Sequence, residues 1–193
     1  MVKFTLITAS ALLLAGIAVL VWLFAAPGQA RRSTIDYHAA LAQFPGSEAG
    51  IESGLHGFRR VFSHLTDPAI DQHIRSVYAP TMYFNDALKT YRDHDRLADY
   101  MAHTASRLAS SSLRVDQVIR DQADVYLRWT MHFESQAAGR SIRSESIGMT
   151  HLRFDADGRI VLHQDFWDSA SGLYRHLPVI GPLMRRIDSL MYP

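Results

Sequence analysis

The residues best suited to chemistry in this chain are a histidine and an aspartate two positions apart. His163 and Asp165 lie in a predicted β-strand at residues 159–167, and side chains two positions apart stand on the same face of a strand. A carboxyl group in an apolar pocket loses hydration, and its pKa rises towards neutrality, where it can exchange protons. His163 is placed to orient Asp165 or to act as its partner acid. The alternative is a hydrogen-bonded pair with a structural role.

Asp86 is the second candidate acid or base. It ends a predicted strand at residues 81–86, in which every second side chain, including that of Asp86, points to one face. The apolar residues that could form a pocket around the carboxyl groups are Met82, Phe84, Trp129 and Trp167. The alternatives are that Asp86 caps a turn and that the tryptophans are core residues. Tyr78 and Tyr91 could donate hydrogen bonds to a ligand, although packing explains them as well.

Three segments in the second half are predicted to be strands, at residues 124–133, 141–154 and 159–167, and the first of them alternates apolar and polar residues. The last two are joined by the Asp-Ala-Asp-Gly sequence at 155–158, which is typical of a hairpin loop. This loop predicts that Thr150 lies opposite His163. Thr150 would then share a face with His163, Asp165 and Trp167.

The first half of the domain shows helical spacing instead. Apolar residues recur every three or four positions, which predicts helices near 51–65 and 70–79, and a third that opens near Asp93 or Asp95 and continues to Leu108. Helices followed by long antiparallel strands indicate an α+β fold. We expect a cone-shaped barrel, in which a curved antiparallel sheet carries about three helices over its concave face and encloses a cavity.

The N-terminal segment has the composition of a membrane span. Residues 4–26 contain no charged residue, and a helix of that length reaches about 35 Å, enough to cross a hydrocarbon core of ~30 Å. We therefore expect a single-pass membrane protein of undetermined orientation. The alternative is a cleaved signal peptide, which would give an exported soluble protein. The predicted organisation is an anchor or signal at 1–30, a tether at 31–50 and one domain at 51–193.

Composition excludes several classes of function. The chain has no cysteine, so it has no disulfide, thiolate nucleophile or zinc finger. The 20 basic and 19 acidic residues give a net charge of +1, which excludes nucleic-acid binding by bulk charge. His163 and Asp165 match half of an iron-binding triad, but only His176 follows them as a third ligand. We expect no metal site and no cofactor.

Two apolar surfaces are expected to meet a partner. Residues 177–193 predict an amphipathic helix, which either covers the sheet or a subunit contact or lies on a bilayer interface. The outer face of the sheet is predicted to be half apolar, which suggests a homodimer contact. Its apolar members are Ile147, Met149, Leu162 and Phe166, and its charged members are Arg143, Glu145 and Arg153.

The layout and the segment GMTHLRFDADGRIVLHQDFWD at 148–168 resemble the nuclear-transport-factor-2-like superfamily, in particular its SnoaL-like and ketosteroid-isomerase-like branches. The strand that ends Tyr-Phe-Asn-Asp at 83–86 and the strand at 129–133 are similar to that pattern. The resemblance covers residues 55–183, which is most of the domain. It implies the cone-shaped fold and a hydrophobic small-molecule ligand, and it implies no single activity.

The resemblance also implies where the candidate residues lie. The face of Thr150, His163 and Asp165 would line the cavity, and Asp86 would reach it in the position of the isomerases' general base. That base is usually followed by proline, whereas Ala87 follows here. The second, proton-donating aspartate of the isomerases falls at Thr150. These departures argue against a straightforward steroid isomerase.

Two functions are therefore expected. The first is an enzyme without cofactor that isomerises, cyclises or dehydrates a hydrophobic small molecule, with Asp86, His163 and Asp165 moving protons. The second is a non-catalytic ligand-binding domain or a scaffold in an envelope complex. The expected substrate contacts are Met82, Phe84, Trp129, Thr150 and Trp167.

Overall fold

The computed structural model of the chain describes residues 29–137 and 140–191. The predicted membrane segment at residues 4–26 lies outside these ranges. Among the described residues, no helix is both long and apolar enough to cross a membrane. The chain divides between His38 and Ala39 into two compact units, and the second unit holds the whole sheet.

The described residues form helices and strands in the α+β order that the sequence predicts. Short 3-10 turns lie at Glu48–Gly50 and Tyr174–His176. The elements are α1 (Gln29–Gln43), α2 (Ile51–Phe62), α3 (Ile70–Val77), β1 (Tyr78–Asn85), β2 (Thr90–Asp93), α4 (His94–Ala105), β3 (Leu108–Asp121), β4 (Asp124–Ala137), β5 (Arg140–Phe154), β6 (Ile160–Trp167), α5 (Ser169–Gly172) and α6 (Ile180–Met191).

The strands form one curved sheet in the order β2-β1-β6-β5-β4-β3. Neighbouring strands are antiparallel except β1 and β6, which are parallel. The expectation of an entirely antiparallel sheet is therefore wrong at this pair. Alternation along a strand does not encode its direction, and no hairpin joins β1 to β6 that would force them to be antiparallel.

The β5–β6 pairing differs from the predicted register. Thr150 lies opposite Asp165, and Leu152 lies opposite His163. Next to the loop, Phe154 pairs with Ile160, one residue beyond the position that the predicted register gives it. The irregularity between Arg153 and Phe154 adds the second residue. Each partner is displaced by two residues from its predicted position. Since side chains alternate with a period of two, the same side chains still share the concave face.

Strands β2 and β3 were not expected from the sequence. The inward residues of β3 are Leu113, Val115 and Val118, and an irregularity between Val115 and Gln117 interrupts their alternation. Helix α4 accordingly ends at Ala105 instead of continuing to Leu108, which opens β3. At its other end the helix begins as predicted, with the Asp93 side chain accepting a hydrogen bond from the Arg96 N–H over 2.9 Å.

Part of the predicted tether is bound to the sheet. Arg153 donates through one guanidinium nitrogen to the carbonyls of Leu41 and Phe44, over 2.8 Å each. Its Nε donates to Asp124 over 2.5 Å, so the guanidinium joins the end of α1 to β4 and β5. Within the second unit, residues 41–47 are therefore held against the sheet, where the Ser47 N–H also donates to the Phe154 carbonyl over 2.7 Å.

The outer face of the sheet is less apolar than expected. Ile147, Met149 and Phe166 are exposed, and Met149 lies opposite Phe166 across β5 and β6. Leu162 is fully buried, so its predicted place in an exposed patch is wrong. Arg153 is committed to Asp124 and to α1, and it is also not part of that patch.

Helix α2 packs closely on the sheet through a glycine. A Cβ at Gly54 would lie 2.1 Å from Cδ1 of Phe154, a fully buried residue at the end of β5. Any side chain at this position would push α2 away from the sheet. The inner stripe of α2 includes Phe58 and Phe62, which line a cavity between this helix and the sheet.

Replacing Gly54 with alanine should therefore lower the free energy of unfolding by roughly 2 kcal/mol, because overpacking outweighs the better helix propensity of alanine. Gly57→Ala is the matched control in the same helix, since a Cβ there would meet only Val77, at 3.2 Å. It should lower the free energy of unfolding by clearly less than Gly54→Ala, because the contact is about 1 Å longer and the helix propensity of alanine offsets part of its cost. Chemical denaturation of both variants measures the difference. Equal effects at the two positions would contradict the close packing of α2.

Candidate functional site

A cavity of about 380 Å³ lies between the concave face of the sheet and helices α2 and α4. A space of this size suits a small organic molecule. Its wall is mostly apolar and includes Phe58, Phe62, Met101, Leu113, Met131 and Phe133. The polar side chains that reach it from the sheet side include Asp86, Thr150, His163 and Asp165.

Hydrogen bonds in this cavity converge on Asp165. The Thr150 hydroxyl donates to Asp165 Oδ1 over 2.5 Å, and His163 Nε2 lies 2.9 Å from the same oxygen. The Trp129 indole N–H donates in turn to the Thr150 hydroxyl oxygen over 2.8 Å. Asp165 Oδ2 has no hydrogen-bond partner among the described residues. It is therefore the oxygen that a bound molecule can use.

The hydrogen-bond chain determines which nitrogen of His163 carries hydrogen. The hydroxyl of fully buried Tyr78 lies 2.6 Å from His163 Nδ1 and has no other hydrogen-bond partner among the described residues. If Nδ1 carried the hydrogen, the Tyr78 hydroxyl would lack an acceptor, at a cost of about 1–3 kcal/mol. Tyr78 therefore donates to Nδ1, and Nε2–H donates to Asp165. Burial raises the pKa of Tyr78 well above its ordinary value, so the hydroxyl keeps its hydrogen.

His163 is enclosed by aromatic rings and is only 1 % exposed. Its ring centroid lies 4.7 Å from that of Phe84, 5.5 Å from Phe62 and 6.0 Å from Phe58. Both imidazole nitrogens must then be paired within the protein, as they are. Neither nitrogen is left for a metal ion, and no group of three candidate metal ligands occurs within 29–137 and 140–191.

A glycine lets Trp129 reach Thr150. Gly148 lies opposite Trp129 on one side and opposite Trp167 on the other. A Cβ at Gly148 would lie 2.4 Å from the Trp129 ring and 2.8 Å from Cβ of Trp167. Because this position has no side chain, the Trp129 indole can lie across β5 and donate to Thr150, two residues further on. Both tryptophans line the cavity.

Asp86 follows the end of β1, in a tight turn. Its Oδ1 accepts hydrogen bonds from the backbone N–H groups of Leu88 and Lys89 over 2.9 and 2.7 Å, and its Oδ2 accepts one from the Tyr100 hydroxyl over 2.6 Å. Burial raises the pKa of Asp86 above its ordinary value, these hydrogen bonds oppose the rise, and the charge of Asp165 adds to it. Burial also raises the pKa of Tyr100, which keeps its hydroxyl protonated.

The turn explains the departure from the isomerase pattern at Ala87. This residue has a φ of 68°, in the left-handed region. A proline ring fixes φ near −65°, so the proline expected after the isomerases' base cannot occupy this turn. Trp167 holds the turn from β6, since its indole N–H donates to the Asp86 carbonyl over 2.8 Å. The Asp86 carboxyl group thus lines the cavity from a turn that excludes proline at position 87.

The structure places most of the predicted site residues around one cavity. These are Phe84, Asp86, Trp129, Thr150, His163, Asp165 and Trp167. The prediction for Met82 is wrong, because this fully buried side chain packs in the core and is not part of the cavity wall. The pairing of β1 is irregular between Thr81 and Phe84, which breaks the alternation that placed Met82 beside Phe84.

Two tyrosines complete the site. Tyr78 contacts His163 instead of a ligand, and Tyr100 was not identified from the sequence. The sequence does contain a pattern that could have identified Tyr100 as an inward-facing residue. Tyr100 lies three residues after Leu97 and four before Thr104, on the inner stripe of α4. Tyr91 packs its ring against Tyr100, with centroids 5.1 Å apart.

Residues 58–163, more than half of the chain, match the family model of the SnoaL-like domain. The match agrees with the SnoaL-like resemblance of the segment at 148–168. The comparison with curated proteins gives no significant match.

Solved structures with the same fold are similar at low sequence identity. A protein described as a SnoaL-like polyketide cyclase from Shewanella denitrificans is 16% identical, with a TM-score of 0.55 over 62% of this chain and 91% of that chain. A hypothetical protein with a ketosteroid isomerase-like fold from Catenulispora acidiphila, in complex with trimethylamine, is 14% identical, with a TM-score of 0.53 over 64% and 91%. At these identities the likeness establishes the fold alone.

The Tyr100→Phe variant should have a higher Asp86 pKa than the wild type, because it lacks the hydroxyl that donates to Oδ2. A raised pKa in the folded state means that Asp86 favours folding when it is protonated, and that this contribution is lost as the pH rises from about 3.8 through the folded-state value. In Tyr100→Phe, the stabilising contribution of protonated Asp86 should persist to a higher pH than in the wild type before it is lost. An NMR titration of the Asp86 carboxyl carbon measures the pKa directly.

Tyr91→Phe is the matched control for this titration, because Tyr91 is adjacent to Tyr100 but donates no hydrogen bond to Asp86. It should leave the Asp86 titration unchanged. An unchanged titration in Tyr100→Phe, or an equal rise in Tyr91→Phe, would show that the Tyr100 hydroxyl does not hold this carboxylate.

Proposed function

Because the chain belongs to the SnoaL-like domain family, we propose that its cavity binds an apolar small molecule and that Asp165 accepts a proton from it. One observation carries this proposal. Asp165 Oδ1 is held by Thr150 and His163, whereas Oδ2 has no partner among the described residues and belongs to a side chain that lines the cavity. Such a carboxylate is oriented by the protein and keeps one oxygen for its ligand.

The wall of the cavity supports an apolar ligand with a flat or cyclic body. Phe58 and Phe62 stack with their ring centroids 4.3 Å apart, and Trp129 and Trp167 contribute further aromatic surface. Aromatic rings pack well against planar apolar groups. The polar atoms of the ligand would then face the carboxyl groups.

The chemistry that suits this arrangement begins at a C–H bond next to a carbonyl. Asp165 Oδ2 takes the proton, and the electron pair of the broken bond moves onto the carbonyl oxygen as an enolate. Where a C=C bond is conjugated with the enolate, return of the proton from Asp165 to the far carbon of that bond completes an isomerisation. Where the enolate carbon attacks a second carbonyl of the same molecule, a ring closes and the new alkoxide takes the proton back from Asp165. His163 is a positioning residue here, since its Nε2–H holds Asp165 in place.

Asp86 suits the complementary role of acid. Burial raises the pKa of Asp86, so a protonated carboxyl is more accessible there than in water. A protonated Asp86 could donate to the ligand oxygen on which negative charge develops. Two carboxyl groups in different environments would thus act as base and acid.

Replacing Asp165 with asparagine tests this function, because it keeps the Oδ1 acceptor and removes the base. Cyclic ketones that displace an apolar fluorescent probe from the wild type would be incubated with the protein in D2O, and deuterium uptake next to the carbonyl would be followed by NMR. We expect the exchange rate to fall about 100-fold or more, with probe affinity retained. Asp157→Asn, at an exposed position in the hairpin loop, is the control. Exchange that persists in Asp165→Asn would rule out Asp165 as the base.

A non-catalytic ligand-binding or scaffold domain is the second candidate. The observation that favours it is that every donor around Asp165 is already paired, so the network also serves as the polar core of a binding cavity. Ligands that bind without any deuterium uptake in the wild type would support this second function.

A homodimer through the outer sheet face remains a proposal. It is supported by the exposure of Ile147 (68 %), Phe166 (50 %) and Met149 (38 %) on neighbouring strands. Native mass spectrometry of the full chain and of Ile147→Glu tests it, and a wild type that is monomeric at micromolar concentration would contradict it.

Membrane tethering also remains a proposal, and its support is the uncharged run at residues 4–26. Carbonate extraction of membranes that contain the full chain tests it, since an integral protein stays with the lipid.

A further inference from the structure

Helix α6 presents an apolar face that the described residues leave uncovered. Gly181 is the only buried residue of its 12, and five of its large apolar side chains are between 41 and 68 % exposed. They are spaced by three, four and one residue, which places them on one side of the helix. They are Ile180, Leu183, Ile187, Leu190 and Met191. An apolar stripe of this extent in water requires a partner.

The charged residues around this stripe are mainly basic. Arg185 and Arg186 are exposed on α6, and Arg175 lies in the 3-10 turn before it. The one acidic residue of the helix, Asp188, pairs with Arg175 over 3.0 Å. That pair also ties α6 to the turn, so the apolar face is held outward. The segment as a whole is a basic amphipathic helix.

We propose that α6 lies on the surface of a lipid bilayer that contains anionic lipid. Its apolar face would enter the boundary between headgroups and acyl chains, and Arg185 and Arg186 would contact the headgroup phosphates. Basic amphipathic helices bind such surfaces through apolar burial and attraction to anionic lipid together.

Charge decides between a bilayer and a second copy of the chain. A two-fold contact through α6 would bring Arg185 and Arg186 close to the same residues of the other copy, and like charges repel. Anionic headgroups have the opposite sign. If residues 4–26 span a membrane, that segment would also hold the domain near the same surface.

Single-cysteine labelling of the full chain tests the proposal, because the chain has no cysteine of its own. An environment-sensitive fluorophore would be attached at Ile187→Cys, on the apolar face, or at Ser189→Cys, on the opposite face. Both labelled chains would be placed in phosphatidylcholine vesicles with or without one third phosphatidylglycerol. We expect the label at 187 to shift to the blue and to be quenched by lipids that carry a spin label in the acyl chain. The emission of the label at 189 should remain that of a fluorophore in water.

The arginines make the charge requirement testable. Arg185→Gln with Arg186→Gln should lower the ratio of bound to free α6 on anionic vesicles by about fivefold for each arginine. Arg59→Gln with Arg60→Gln removes a second exposed pair, from α2, and should leave the ratio unchanged. A label at 187 that stays in water overturns the proposal, as does a blue shift without quenching by lipid, which would mean that protein covers α6. Equal quenching without phosphatidylglycerol overturns the requirement for anionic lipid.

Discussion

A carboxylate inside an apolar cavity must be stabilised by hydrogen bonds from the protein. In this domain the donors reach Asp165 Oδ1 along two paths. One runs from Tyr78 on β1 through His163 on β6, and the other runs from Trp129 on β4 through Thr150 on β5. Because both end on the same oxygen, the carboxylate is held in one orientation with its second oxygen left for a ligand.

This requirement links the site to the packing of the sheet. The two paths draw on four strands, so the relative register of β1, β6, β5 and β4 determines whether the donors meet. Gly148 leaves the space in which the Trp129 indole lies, and the Trp167 indole fixes the turn that carries Asp86. The two carboxyl groups therefore line one cavity with different surroundings, which suits them to different roles.

The sequence was most informative about which face of the sheet a side chain occupies, because the two-residue period of a strand decides that face. His163, Asp165 and Thr150 line the same cavity although their partners are displaced by two residues, because such a displacement does not change the face. Irregular pairing was not visible in the same pattern, and it moved Met82 into the core and obscured β3. Strand direction was also hidden, since β1 and β6 are joined by no local turn.

The hydrogen-bond partners were harder to predict than the faces. The hydroxyl groups of Tyr78 and Tyr100 form hydrogen bonds with His163 and Asp86, which are not their neighbours in the sequence. A single sequence does not show which buried hydroxyl meets which acceptor. Their positions follow from the way α4 and β1 pack. Side-chain type and periodicity could identify the carboxyl groups, whereas the donors that hydrogen-bond to them could be identified only from the structure.

The protonation of His163 tests the central claim most directly. Nitrogen-15 NMR of the imidazole distinguishes a nitrogen that carries hydrogen from one that accepts a hydrogen bond. The donor chain predicts a neutral ring with hydrogen on Nε2 and a bare Nδ1 that accepts from Tyr78, beside an ionised Asp165. Hydrogen on Nδ1, or a proton on Asp165, would mean that the donors do not converge on the carboxylate, and the proposed base would be lost.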